Sequence, residues 1–146
     1  MNAFAHHFSF EFRTGIRNKT LLLMNYLFPL GFYLMMGFIM VGINPLFLDV
    51  LIPAMVVFAV LAAALLGIPD PLVNARENGI FRSYKINGIP SASILIIPAL
   101  TTFLHLVIVA AIITFTAPLM FSAPMPVNWL NYIIVFVALA LACTGL

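Results

Sequence analysis

Four long apolar runs, almost free of charge, constrain this chain more than any other feature of its sequence. They cover residues 20–41, 46–68, 94–116 and 129–146, and Asp49 is the only charged residue within them. A helix needs about 20 apolar residues to cross the hydrocarbon core of a bilayer. The runs therefore predict an all-α polytopic membrane bundle, with four transmembrane helices in one transmembrane domain that covers residues 1–146.

The composition excludes several other classes of protein. The chain is 64% hydrophobic and 7% charged, whereas a typical soluble domain has about 25% charged residues. Water could not solvate a folded surface with so few charges. The six Lys and Arg residues are scattered and form no basic stripe, so we expect no nucleic-acid partner. Cys143 is the single cysteine, which excludes an intrachain disulfide.

The positions of the cations predict the orientation of the chain. All six lie before the first run or between the second and third runs: Arg13, Arg17, Lys19, Arg76, Arg82 and Lys85. Short cytoplasmic loops are enriched in Lys and Arg. We therefore expect a multi-pass protein of the plasma (inner) membrane with a cytoplasmic amino terminus. The fourth run reaches Leu146 without a basic flank, and we interpret it as truncated.

The segment before the first run, residues 1–19, predicts an amphipathic interfacial helix. Its apolar face repeats every four residues, and its polar face carries two arginines; the two faces are Phe4, Phe8, Phe12 and Ile16, and His6, Ser9, Arg13 and Arg17. A basic helix of this kind lies at a membrane surface with its cations toward lipid phosphate, which makes membrane lipid a predicted partner. The alternative is a basic flank that only sets orientation.

The loop of residues 69–91 predicts a short helix between the second and third runs. Asp70 followed by Pro71 is a typical helix start, and Asn78-Gly79 a typical stop or turn. An aromatic and basic segment, residues 80–86, follows. The loop either presents these side chains to a partner outside the bilayer or is a solvated connector, and physical chemistry alone favours neither interpretation.

The same loop carries a resemblance to a known family. Residues 76–83, Arg-Glu-Asn-Gly-Ile-Phe-Arg-Ser, and the turn at 88–91, Gly-Ile-Pro-Ser, resemble the loop after the second span in permeases of ABC-2 type transporters. The core pattern there is Arg-Glu-x-Gly-x-x-(Arg/Lys). The basic amphipathic amino terminus and the proline-containing first span are also similar to that family.

The resemblance implies a permease subunit, in the exporter direction, that works with a separate cytoplasmic ATP-binding cassette ATPase and with a second permease copy or a related permease. It implies that the loop is a cytoplasmic coupling helix, and the residues expected to contact the ATPase are Arg76, Glu77, Gly79, Phe81, Arg82, Tyr84 and Lys85. ATP and Mg²⁺ would be bound by the partner. The chain has no G-x-x-x-x-G-K-[ST] loop of its own, so we expect no cofactor on it and no enzymatic activity.

Polar side chains within the runs are candidates for a transport pathway or for contacts between helices. They are Asn25 in the first run and Thr101, Thr102 and His105 in the third. Such residues usually face the interior of a bundle or a water-filled path, and a hydrogen bond between helices is the simpler role. His6, His7 and Glu11 make a poor ligand set, so no metal site is predicted.

Three other classes of function remain as alternatives. A small four-helix secondary transporter would need an ionisable group deep in the membrane, and only His105 is available. An intramembrane enzyme would need a nucleophile and base or a metal, which lone His105 and Cys143 do not supply. A non-catalytic membrane anchor subunit is the third alternative.

Overall fold

The computed structural model describes residues 3–67 and 91–144, together with residues 73, 76, 77, 79 and 86 between them. Every regular element in this part of the chain is helical, and no strand occurs there. We number five helices in chain order: α1 (Ala3–Arg17), α2 (Lys19–Ile43), α3 (Pro45–Leu66), α4 (Ser91–Phe121) and α5 (Trp129–Thr144).

Three of these helices are long and apolar enough to cross a membrane. α2 has 25 residues, α3 has 22, and the segment Ile96–Phe121 of α4 has 26, with mean hydropathies of 1.8, 2.6 and 2.5. The apolar part of α5, Trp129–Cys143, is shorter. The all-α class and the apolar helical bundle expected from the sequence are thus confirmed, with three helices of membrane length and a shorter fourth.

The described Lys and Arg residues lie at one end of the bundle, and near the other end the described charge is that of Asp49. We call the end with Lys19, Leu66 and Ile96 the basic end, and the end with Asn44, Phe121 and Trp129 the neutral end. At the basic end, α2 and α3 each contain a π-helical segment, Leu23–Leu27 and Ala63–Gly67, and these two segments pack against each other. π-helical turns hold one residue more than α-helical ones and are frequent at functional sites.

Two asparagines start the first two long helices. Asn18 has an extended backbone, and its Oδ1 accepts hydrogen bonds from the backbone N–H groups of Thr20 and Leu21, at 3.0 and 3.5 Å. Asn44 likewise accepts from Leu46 N–H at 3.1 Å. Asparagine is a strong N-cap because its side chain pairs with N–H groups that have no partner in the helix. The break at Asn18 separates α1 from α2, and α1 packs against α4.

α4 continues beyond residue 116, where the sequence suggested an end, and the connection to α5 is correspondingly shorter. Pro118 lies inside the helix, which stops where Ser122 adopts a left-handed backbone with φ 58° and donates its N–H to Pro118 O at 3.1 Å. Glycine is the usual residue in this helix-ending position. A serine there gives no signal in the sequence, so the end of α4 could not be predicted.

The core forms where α2, α3 and α4 meet. α3 and α4 contribute most of it, through residues such as Leu51, Ile52, Val109 and Ile113, which are 0–1% exposed. At the neutral end, Gly37 of α2 faces the ring of Phe121 so closely that any Cβ at this position would overlap the ring. α5 packs against α3 and α4 on the side away from α2, around Val60, Leu106 and Ala140.

Candidate functional site

The side-chain hydrogen bonds between helices in the described structure lie in two regions of the bundle. One region, toward the basic end, is the His105 cluster, which we define as Phe12, Gly15, Tyr26 and His105. The other, toward the neutral end, consists of two tyrosine–threonine pairs, Tyr33 with Thr116 and Tyr132 with Thr114. The first region joins α1 and α2 to α4, whereas the second joins α2 and α5 to α4.

His105 is the centre of the first region, and its side chain is 3% exposed. Its Nδ1 lies 2.5 Å from the hydroxyl oxygen of Tyr26. The Phe12 ring stacks on the imidazole at 4.8 Å between centroids and 9° between planes, and the Tyr26 ring meets it edge-on. Helices α1, α2 and α4 are therefore held together through one imidazole.

The second nitrogen of His105 has a different environment. Nε2 is buried and has no hydrogen-bond partner in the part of the chain that is described. A Cβ built on Gly15 would lie 2.9 Å from this nitrogen. The absence of a side chain at Gly15 therefore allows α1 to approach α4 this closely. A buried polar atom without a partner destabilises a fold by about 1–3 kcal/mol.

Asn25 is a second buried residue with an unpaired polar atom. It lies within the π-helical segment of α2, is 7% exposed, and its Oδ1 has no partner among the described residues. Asn25, Pro29 and Tyr33 recur every four residues, and all three are buried on the same side of α2. The polar residues expected to face protein in the first run are thus buried within the bundle.

The predicted polar residues of the third run lie in α4. Thr101 and His105 are buried, and Thr102 is half-buried. The Thr101 hydroxyl donates to Ile97 O at 2.9 Å within its own helix. The side chain that the structure pairs with His105 is Tyr26, which sequence reasoning did not select. The π-helical turn around Tyr26 alters which residues of α2 face α4, and a regular helical repeat does not predict this change.

The tyrosine–threonine pairs have a clear division of donors. Thr114 donates its single hydroxyl hydrogen to Ala110 O at 2.7 Å, and Thr116 donates to Ile112 O at the same distance. Each threonine must therefore accept the hydrogen of its tyrosine: Tyr132 at 2.7 Å and Tyr33 at 3.1 Å. Every hydroxyl of the two pairs has a partner. An apolar cleft of about 180 Å³ lies beside Thr114, between α4 and α5.

The predicted coupling residues fall in the connection between α3 and α4. Arg76 and Glu77 are helical and exposed. Gly79 follows with a left-handed backbone, φ 67°, and its N–H donates to Arg76 O at 3.2 Å. A turn at Gly79 was expected from the sequence. The other residues expected there, Phe81, Arg82, Tyr84 and Lys85, lie outside the described residues.

α1 contacts the bundle through a face that differs from the predicted apolar face. Phe12 belongs to both faces, but Gly15 is buried against His105, while Ile16 is 43% exposed. The arginines Arg13 and Arg17 are exposed, as is Lys19 at the start of α2. The helix approaches closely at a glycine because an isoleucine at the contact would hold the two backbones apart.

Comparison with known proteins adds no relative: no family model, curated protein or solved structure matches this chain. Within the described ranges, no group of three or more His, Cys, Asp or Glu side chains is placed to hold a metal ion. The fold defines a class, an all-α bundle with membrane-length helices.

Proposed function

We propose that this chain is the membrane-spanning permease subunit of an ABC-2 type transporter, an exporter driven by a separate cytoplasmic ATPase. The observation that carries the proposal is the exposed helical turn at Arg76 and Glu77, closed by Gly79, between two membrane-length helices. This turn falls on the segment that resembles the coupling loop of that family. A permease needs such an exposed contact because it binds and hydrolyses no ATP itself.

The surface of the bundle supports membrane insertion. Large apolar side chains point outward on several helices, including Phe38 of α2, Leu65 of α3 and Val135 of α5, which are 62–72% exposed. Soluble monomers rarely expose extended apolar patches, whereas lipid solvates them well. The cations at the basic end, against uncharged residues 122–128 at the neutral end, favour a cytoplasmic amino terminus.

The mechanism follows from the position of the turn. A helix in the connection between α3 and α4 would transmit a movement of the ATPase to both of them. Glu77 and Arg76 offer charges for pairing with the partner, and Phe81 and Tyr84, three residues apart, would fill an apolar groove on it. ATP and Mg²⁺ belong to the ATPase, and a second permease copy or a related permease would complete the pathway.

The proposal is tested by co-purification of this chain with an ATP-binding cassette ATPase from the genome that encodes it. Replacing Phe81 and Tyr84 by alanine should weaken ATPase binding more than about tenfold, because an aromatic anchor at an interface centre contributes about 2 kcal/mol or more. The double variant Leu65→Ala/Val135→Ala, on the outward apolar surface, is the matched control and should bind normally. Equal binding by all three proteins, with unchanged transport, would eliminate the coupling role.

A small secondary transporter is the second candidate function. One observation favours it: His105 is an ionisable residue within a membrane-length helix, and its buried Nε2 has no partner among the described side chains and backbone groups. The two candidates differ in their energy source. Transport in proteoliposomes that contain this chain alone and carry an ion gradient would favour the secondary transporter. A strict requirement for the ATPase and ATP would favour the permease.

A further inference from the structure

Three cations at the junction of α1 and α2 have no ionic partner within the described parts of the chain. Arg13, Arg17 and Lys19 are all exposed, and no ion pair with a described carboxylate involves them. Arg13 and Arg17 are four residues apart on one helix and so lie on the same side of it. Lys19 follows directly after the break at Asn18, where α2 begins. The three charges therefore all lie on one short stretch of chain, residues 13–19.

The docking of α1 determines where these charges point. Phe12 and Gly15 face His105, so this side of α1 is against the bundle. At 3.6 residues per turn, Arg13 and Arg17 lie on the far side of α1. They therefore point away from protein and toward whatever surrounds the bundle.

The contact at His105 also sets the level of α1 along the bundle. His105 lies about 21 Å along α4 from Ser91, the first residue of the helix, and Tyr26 lies about 10 Å along α2 from Lys19, at a rise of 1.5 Å per residue. α1 is therefore drawn in beside the membrane-length helices and is not extended beyond their basic end. Long cationic side chains on the outer face of such a helix can keep their stems in apolar surroundings while their charged ends reach toward headgroup phosphates.

We propose that Arg13, Arg17 and Lys19 form a binding site for the phosphate of an anionic membrane lipid, positioned by the docking of α1 on His105. The guanidinium groups suit this ligand because they bind phosphate oxygens in a bidentate manner, and the ammonium of Lys19 adds a third donor. Glu11 is the one carboxylate on α1, and it is half-buried on another side of the helix. The three cations therefore favour a lipid with net negative charge over a zwitterionic one.

The proposal rests on the membrane insertion proposed above but not on the transporter class. It is tested with the full chain purified in detergent, by titration with phosphatidylglycerol and, separately, phosphatidylcholine, and by native mass spectrometry of the bound lipid. The wild-type chain should bind phosphatidylglycerol more tightly. Each cation near a membrane surface should contribute about fivefold. The double variant Arg13→Gln/Arg17→Gln should therefore lose roughly twentyfold of this affinity.

Two controls separate a positioned site from general charge attraction. Arg76→Gln/Arg82→Gln removes the same number of arginines elsewhere and should leave the preference intact. Gly15→Leu keeps all six cations but blocks the docking of α1 on His105. Phe12→Ala also keeps the cations and weakens the docking by removing the stacked ring. Both variants should weaken the preference for phosphatidylglycerol. Circular dichroism checks that each variant retains its helices.

The possible results each decide the question. An equal loss in the Arg76→Gln/Arg82→Gln control would reduce the effect to net charge and overturn the site. Equal binding of the two lipids to the wild-type chain would also overturn it. Full preference in both Gly15→Leu and Phe12→Ala would show that docking on His105 does not position the cations. If the wild-type chain shows the lipid preference but no ATPase-driven transport, that result would contradict the proposed function and leave the lipid site intact.

Discussion

The His105 cluster and the tyrosine–threonine pairs both connect helices, and they lie in opposite halves of the bundle. Only in the tyrosine–threonine pairs does every polar side-chain atom have a hydrogen-bond partner. At the neutral end, each threonine hydroxyl donates within its helix and accepts from a tyrosine on another helix. Toward the basic end, His105 Nε2 and Asn25 Oδ1 remain without partners in the described structure. The difference indicates a fixed neutral end and a basic end from which α1 can be displaced at lower free-energy cost.

The two close-contact glycines should show this difference most strongly. Gly37→Leu would force a side chain into the Phe121 ring inside the bundle, and overpacking of this kind typically destabilises by about 1–3 kcal/mol. Gly15→Leu would displace α1 from His105 and leave the core intact, so its effect should be below about 1 kcal/mol. Reversible unfolding in mixed detergent micelles measures both. A larger effect at Gly15 would contradict the assignment of the neutral end as the rigid one.

Removal of single tyrosine hydroxyls should give the next largest effects. Tyr26→Phe leaves Nδ1 of His105 buried without its partner and should destabilise the bundle by about 1–3 kcal/mol. Tyr33→Phe leaves Thr116 still paired with Ile112 O, so the cost should be close to the average for such bonds in membranes, about 0.6 kcal/mol. Each variant removes one hydroxyl oxygen from the wild-type chain, so the two losses of stability can be compared directly. Equal losses in the same unfolding assay would remove the distinction between the two regions.

Coupling within the second pair should be small but measurable. A double-mutant cycle with Tyr132→Phe and Thr114→Val isolates the bond between the two hydroxyls, which we expect to contribute about 0.5–1 kcal/mol. An additive result would mean that the pair does not stabilise the contact between α4 and α5. Thr116→Val with Tyr132→Phe is the control, because these two residues belong to different pairs and their effects should add.

The smallest expected effect has the opposite sign. Asn25→Leu replaces a buried carbonyl oxygen, which lacks a partner in the described part of the chain, with an apolar group of similar size. This should leave stability unchanged or raise it by up to about 1 kcal/mol. If Asn25 contacts a transported substrate, the same variant should lose transport while it keeps its stability. A clear loss of stability would show that the Asn25 side chain makes a stabilising hydrogen bond that leucine cannot replace.

The sequence predicted the helices of the bundle better than their contacts. Apolar runs of about 20 residues define the long helices, and Asn25, which was expected to face the interior, lies on the buried side of α2. The partner of His105 could not be predicted, because the π-helical segment Leu23–Leu27 departs from the regular repeat. The docking of α1 through Gly15 was missed for another reason. The helical pattern identifies a contact face by its apolar side chains, whereas this contact requires a residue without a side chain.

The π-helical segment in α2 has a consequence for the phase of the helix. Because such a turn contains one residue more than an α-helical turn, deleting one residue within Leu23–Leu27 would restore a regular α-helix. In a regular α-helix that kept all of its residues, by contrast, everything before Leu23 would be rotated by about 100° around the axis and moved by about 1.5 Å relative to Pro29 and the rest of α2. Lys19 and the whole of α1 would be aimed at a different neighbour. The single extra residue thus sets the azimuth from which α1 reaches His105.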